Sequence, residues 1–161
     1  MQWIRSRTAR AAFGGLAAVL SAHAASAQVP VSPFVGTWLL NAQQSKQAPG
    51  EAAPVSLVTQ IDRADTAHVH WTTTITDAQG QKDVETYDTP GNGDFYSLDG
   101  DTMVAHRIGL KTLQSTFKDG DGDTDQVTCT LSTGATQMTC NGVITHPDGS
   151  TAQYTDVFDR R

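Results

Sequence analysis

The sequence predicts an all-β fold, an antiparallel up-and-down β-barrel of about eight to ten strands. Three observations predict it. Beyond Gln28 the apolar residues recur at alternate positions rather than at helical spacing. Threonine and valine, which suit a pleated backbone, are abundant there. The chain holds 14 glycines and 6 prolines, many beside Asp or Asn, and these cut it into short alternating stretches.

Residues 1–27 are read as standing outside that fold. Arg5, Arg7 and Arg10 form a positive segment, "AAFGGLAAVL" at 11–20 is a short apolar run, and Ala25-Ser26-Ala27 places small residues at a cleavage point. The run is too short to span a bilayer. The expectation is a secretory signal peptide over residues 1–27 and one barrel domain over residues 28–161, exported to the periplasm or the cell exterior. The arginines are not adjacent and no cysteine lies at the cut, which argues against a twin-arginine route and a lipid anchor.

Export removes three of the 11 basic residues and none of the 17 acidic ones, leaving eight against 17, a formal charge of −9. Phosphate backbones and anionic membranes repel such a chain, so nucleic acid is excluded as a partner class. The sequence contains no transmembrane segment, calls for no cofactor, and says nothing of oligomeric state.

In chain order, "VGTWLLN" (35–41) reads as a first strand and "QAPGEAAP" (47–54) as an irregular loop. "VSLVTQIDR" (55–63) places Val55, Leu57, Thr59 and Ile61 on one face. "AHVHWTTTIT" (67–76) does the same with Ala67, Val69, Trp71, Thr73 and Ile75, leaving His68 and His70 on the other. The turn 77–81 leads into 82–89. A second turn at 90–94 precedes a short strand near 95–98, and "DGD" at 99–101 turns the chain again. Strands 102–108 and 110–117 flank Gly109, and the polar run 118–125 follows. "QVTCTLS" (126–132) and "ATQMTCNGVIT" (135–145) make a hairpin, and after the turn 146–150 the last strand is 151–159.

Cys129 and Cys140 lie on the two arms of that hairpin. An even count in an exported chain favours a disulfide over a metal or redox pair, whose usual spacing is far shorter.

The segment "FVGTWLLNAQQSK" with its following Pro49 and Gly50 resembles the opening of a group of exported bacterial proteins with a lipocalin-like barrel and largely unassigned function. The matching residues are Gly36, Thr37, Trp38, Leu40, Asn41, Ser45 and Lys46. "DGDTMVAHRI" (99–108), "STFKDG" (115–120) and "DVFDR" (156–160) are similar to later landmarks of that group. The resemblance implies a lipocalin-like or avidin-like barrel. Lipocalins proper also carry an arginine packed on the tryptophan, which Arg160 or Arg161 would supply, and a helix after the last strand, which this chain lacks. Gly36 and Trp38 are then structural, with Trp38 plugging the closed end of the barrel and Gly36 allowing close backbone approach.

Several constellations bear on chemistry. His68 and His70 project together and suit zinc only with a third ligand, but they oppose the apolar face and read as a surface pair. His106 stands between Val104 and Ile108 at a position that suits an inward side chain. Asp119, Asp121, Asp123 and Asp125 alternate as calcium ligands do, yet Thr124 and Thr130 occupy places where the EF-hand pattern needs Gly and Glu, so a solvated turn competes. Asp83, Glu85 and Tyr87 share one strand face of undecided orientation. No G-x-S-x-G or H-E-x-x-H occurs, so binding is favoured over catalysis and no metal ligand or catalytic residue is assigned.

The leading expectation is a carrier of a small apolar or amphipathic molecule, with Val55, Leu57, Val69, Trp71, Val104 and Leu113 as lining residues. The competing readings are a filled barrel acting as an envelope interaction module and a weak hydrolase or isomerase.

Overall fold

The alternation of Val, Ile, Leu and Trp with Thr, His and Gln gives each stretch one face to bury, and antiparallel pairing satisfies its backbone. The computed structural model describes residues 31–161 and shows ten strands: β1 (Gly36–Leu40), β2 (Ser56–Ala64), β3 (Val69–Thr76), β4 (Lys82–Thr89), β5 (Asn92–Asp99), β6 (Thr102–Ile108), β7 (Thr112–Lys118), β8 (Thr124–Leu131), β9 (Gln137–Thr145) and β10 (Thr151–Arg160). None of the described residues is helical. The expected signal peptide lies outside the described residues.

All ten strands belong to one antiparallel sheet, ordered β4-β3-β2-β1-β10-β9-β8-β7-β6-β5. β1 holds the two halves together, pairing with β2 on one side and β10 on the other, with Trp38 opposite Arg160. Past Leu40 the chain leaves β10 for a few residues and rejoins it at Lys46, which exchanges backbone hydrogen bonds with Thr155. The sheet curls into a nearly closed barrel, and the closure has one seam. β4 and β5 are consecutive in the chain and yet form the two edges of the sheet.

The seam has a local cause. Pro90 has no N–H to continue a ladder. Gly91 then pins the corner, donating to the Thr66 carbonyl at 3.2 Å and accepting from the Ile108 amide at 3.4 Å. A Cβ on Gly91 would stand 2.4 Å from the Asp65 carbonyl oxygen, so only glycine fits there. The strand after the corner begins at Asn92, inside the segment expected to be a turn, and departs beside β6.

One end of the barrel is filled. Phe34 and Trp38 are fully buried and pack with Ile61, Leu131 and Phe158 in the core. The Trp38 indole donates to the Phe34 carbonyl at 2.8 Å. Arg160 caps the ring and donates from its guanidinium to the carbonyls of Pro33, Val35 and Ala135. Gly36, at φ 142°, leaves the space that guanidinium occupies.

The predicted disulfide is present. Cys129 and Cys140 are direct cross-strand partners on β8 and β9 and are bonded. In the chain-entropy picture a loop this short contributes about 2–3 kcal/mol. No helix among the described residues is long and apolar enough to cross a membrane.

Candidate ligand-binding cavity

Away from the filled end, the inward residues leave a concave cavity of about 190 Å³. The period of two explains which side chains reach it. β2 presents Leu57, Thr59 and Ile61, β3 presents Trp71 and Thr73, and β7 presents Leu113, Ser115 and Phe117. β8 and β9 add Val127, Cys129, Met138 and Cys140, so the disulfide itself is part of the wall. β4 gives Glu85 and Tyr87, and β10 gives Tyr154, Asp156 and Phe158.

The wall next to the seam is aromatic. Trp71 and Tyr87 lie 5.1 Å apart by ring centres, and Tyr87 meets Phe117 edge-on at 5.6 Å. Behind them His106 packs at a tilt against Trp71 at 4.5 Å and edge-on against Phe117 at 5.9 Å. These four rings come from β3, β4, β6 and β7. They supply by side-chain packing the closure that the unpaired edges of β4 and β5 do not supply by hydrogen bonds. His106 is fully buried, with Nδ1 2.9 Å from the Ser115 hydroxyl and Nε2 without a partner among the described residues. Burial pushes its pKa down to about 4, so the imidazole is neutral at pH 7.

The opposite wall is acidic. The Tyr154 hydroxyl donates to Asp125 Oδ2 at 2.7 Å. Asp125 follows the inward alternation of Val127 and Cys129, and its Oδ1 is buried with no partner among the described residues. Burial raises the pKa of Asp125, against the hydrogen bond from Tyr154 and together with the nearby Glu51 charge. Burial likewise raises Asp156, against a hydrogen bond from Gln47 and together with the charges of Glu51 and Asp125. Burial and the Asp125 hydrogen bond push the Tyr154 phenol up, so it stays a donor. Gly142 makes this placement possible. It pairs with Tyr154 across β9 and β10, and a Cβ there would fall 2.0 Å from the phenol ring.

Among the residues expected to line a cavity, Leu57, Trp71 and Leu113 do so. Val69 and Val104 face inward and are fully buried, but they pack away from the cavity. Val55 is a correction, since it is 70 % exposed. It precedes β2, where the alternation runs past the end of the strand into solvent. Cys129 and Cys140, expected as a structural pair, also line the cavity, while Gly36 and Trp38 sit at the filled end.

His68 and His70 stand outside the barrel, 3.4 Å from Asp88 and 3.3 Å from Asp62. The aspartates of the polar run do not converge. Asp119 Oδ1 accepts from the Asp123 amide, Asp123 faces His146 at 3.1 Å, and Asp125 belongs to β8. Among the described residues no group of three or more His, Cys, Asp or Glu side chains is arranged to hold a metal ion.

Sequence reasoning left the orientation of Glu85 undecided and missed Asp125, Tyr154, Asp156 and Ser115 as inward residues. The signal for them was alternation with apolar residues: Tyr154 and Asp156 with Phe158, Ser115 with Leu113 and Phe117, and Asp125 with Val127 and Cys129.

No protein-family model and no curated protein matches the sequence. Solved structures align with this chain. A mutant of the fluorescent protein UnaG aligns with TM-score 0.53 at 14 % identity, over 80 % of this chain and 96 % of that one. Zebrafish ileal bile acid-binding protein complexed with cholic acid aligns with TM-score 0.47 at 14 % identity, over 81 % and 100 %. A redesigned β-barrel aligns with TM-score 0.46 at 15 % identity, over 80 % and 92 %.

Proposed function

We propose that this chain is an exported binding protein of the lipocalin-like kind that its opening segment resembles, holding one compact apolar or amphipathic molecule inside the barrel. The observation that carries this reading is the apolar cavity of about 190 Å³ between the filled end and the mouth. An apolar protein cavity of about 150 Å³ is large enough to take up benzene. Drug-sized ligands need about 300 Å³ or more. The occupant is therefore of the size of one ring with a short arm. Burying its apolar surface contributes about 25 cal/mol per Å². The disulfide is compatible with export.

The test is native mass spectrometry of protein purified gently from its host, alongside Val127→Phe, which fills the cavity from β8. A retained small molecule that the variant loses supports the reading. If neither protein retains anything, and small aromatic probes stabilise neither, the cavity has no occupant and the filled-barrel alternative stands.

A further inference from the structure

The charges around the cavity are one-sided. Among the described residues two carboxylates, Glu85 and Asp156, line it, and no lysine, arginine or histidine does. A third carboxylate, Asp125, stands behind Tyr154 with one oxygen buried and unpartnered. The ion pairs found among the described residues use Asp62, Asp65, Asp88 and Asp123, and none of these three. Arg160 is committed to the filled end and Lys118 to the Phe95 ring. Opposite the acidic wall stand the faces and edges of Trp71, Tyr87 and Phe117, set at 43° and 69° to one another. The Tyr87 hydroxyl donates to Glu85 Oε2 at 2.7 Å, which fixes a carboxylate at the rim of the three rings.

Resting on the reading that the cavity is a binding site, we propose that its ligand is a compact organic cation, an ammonium carried on a short arm from an apolar ring or chain. A neutral apolar guest would cover Asp156 and leave the buried oxygen of Asp125 uncompensated. An anionic guest would add charge of the same sign where no cation answers it. An ammonium group gains from the ring quadrupoles and from the carboxylates together, and both attractions are strongest where water is excluded. Burial raises the pKa values of Asp125 and Asp156, and the charge of Glu51 raises both further, so a cation placed beside them would be favoured.

Three probes with the same ring and arm length test this: 2-phenylethylammonium, 2-phenylethanol and phenylacetate, titrated calorimetrically into the disulfide-intact protein at pH 7. The ammonium is expected to bind about tenfold or more tighter than the alcohol, with phenylacetate weakest. Glu85 is exposed at the rim, and Glu85→Gln should lower the ammonium affinity several-fold and the alcohol affinity much less. Asp156→Asn should do the same from the opposite wall. Alcohol and ammonium binding equally, or phenylacetate binding best, would overturn the cation assignment and leave the binding cavity intact. If none of the three binds, the cavity reading falls and this inference falls with it.

Discussion

Arg160 and Trp38 face each other across β10 and β1, with the guanidinium carbon 4.4 Å from the centre of the indole ring. The same guanidinium reaches three backbone carbonyls, of Pro33, Val35 and Ala135. One side chain near the C-terminus thus ties the segment before β1 and the β8–β9 turn to the plug of the barrel. Of the two C-terminal arginines it is Arg160 that takes this place, while the Arg161 amide donates to the Thr37 carbonyl.

Arg160→Ala should therefore destabilise the fold by about 2–4 kcal/mol, the sum of a partly desolvated cation–π contact and hydrogen bonds from a charged donor. Arg160→Lys should recover less than half of that, because an ammonium cannot reproduce the planar fork. Gly36→Ala should also destabilise, since its Cβ would stand 2.8 Å from Arg160 Nη1 on a backbone at φ 142°. Urea midpoints measure all three. A loss below about 0.5 kcal/mol for Arg160→Ala would mean that the cap is ornamental.

The disulfide makes a separate prediction. Its reduction should lower stability by about 2–3 kcal/mol. Because Cys129 and Cys140 line the cavity, it should also change the affinity for any occupant. A urea midpoint with and without reductant, paired with a probe titration under both conditions, checks the two effects. A change in stability with unchanged probe affinity would confine the bond to a structural role.

How far these features were legible in the sequence depends on what alternation can report. Period-two patterning located every strand, because Leu57, Ile61, Val69 and Trp71 need a buried face whatever their neighbours are. It could not show the seam. β4 and β5 part because Gly91 is wedged against Asp65, 26 residues earlier in the chain, and spacing along the chain carries no record of that contact. It also failed for the acidic wall. An Asp in an alternating stretch looks like a solvent-facing residue, and Asp125 sat next to a polar run that drew it into the turn. Only the hydrogen bond from Tyr154 and the gap at Gly142 show why it points inward. Val55 failed in the opposite sense, for the alternation outlasts the strand.

His106 gives the fold a pH dependence of definite sign. Its folded pKa of about 4 lies below the ordinary 6.5, so the unfolded chain takes up its proton first. The stability that this neutral imidazole protects is full above pH 6.5 and is lost as the pH falls toward 4. Near pH 4.5 the loss is about 2–3 kcal/mol. Asp125 and Asp156, raised by burial, act in the opposite direction over the acid range. The clean measurement is the difference between the wild type and His106→Gln in urea midpoints from pH 7 to 4.5. That difference should shrink on acidification, because the variant lacks the proton-linked loss. A difference independent of pH would show that the ring titrates normally.

Tyr154 and Asp125 supply the last prediction. Tyr154→Phe keeps the ring over Gly142 but removes the hydrogen bond that Asp125 accepts from the phenol, and its other oxygen has no partner among the described residues. At pH 7 the variant leaves a half-buried carboxylate unsatisfied, at a cost of about 1–3 kcal/mol. Loss of the hydrogen bond also raises an aspartate pKa that burial has raised already. A carboxyl group whose folded pKa exceeds its unfolded value binds its proton more readily in the folded state, so acidification favours the fold over that interval. The penalty of Tyr154→Phe should therefore be largest near neutral pH and smaller toward pH 4.5, where the neutral carboxylic acid no longer carries a charge to solvate. Paired urea titrations across this range read the effect directly. A penalty that stays constant with pH would show that the Tyr154 hydroxyl contributes without any linkage to the charge of Asp125.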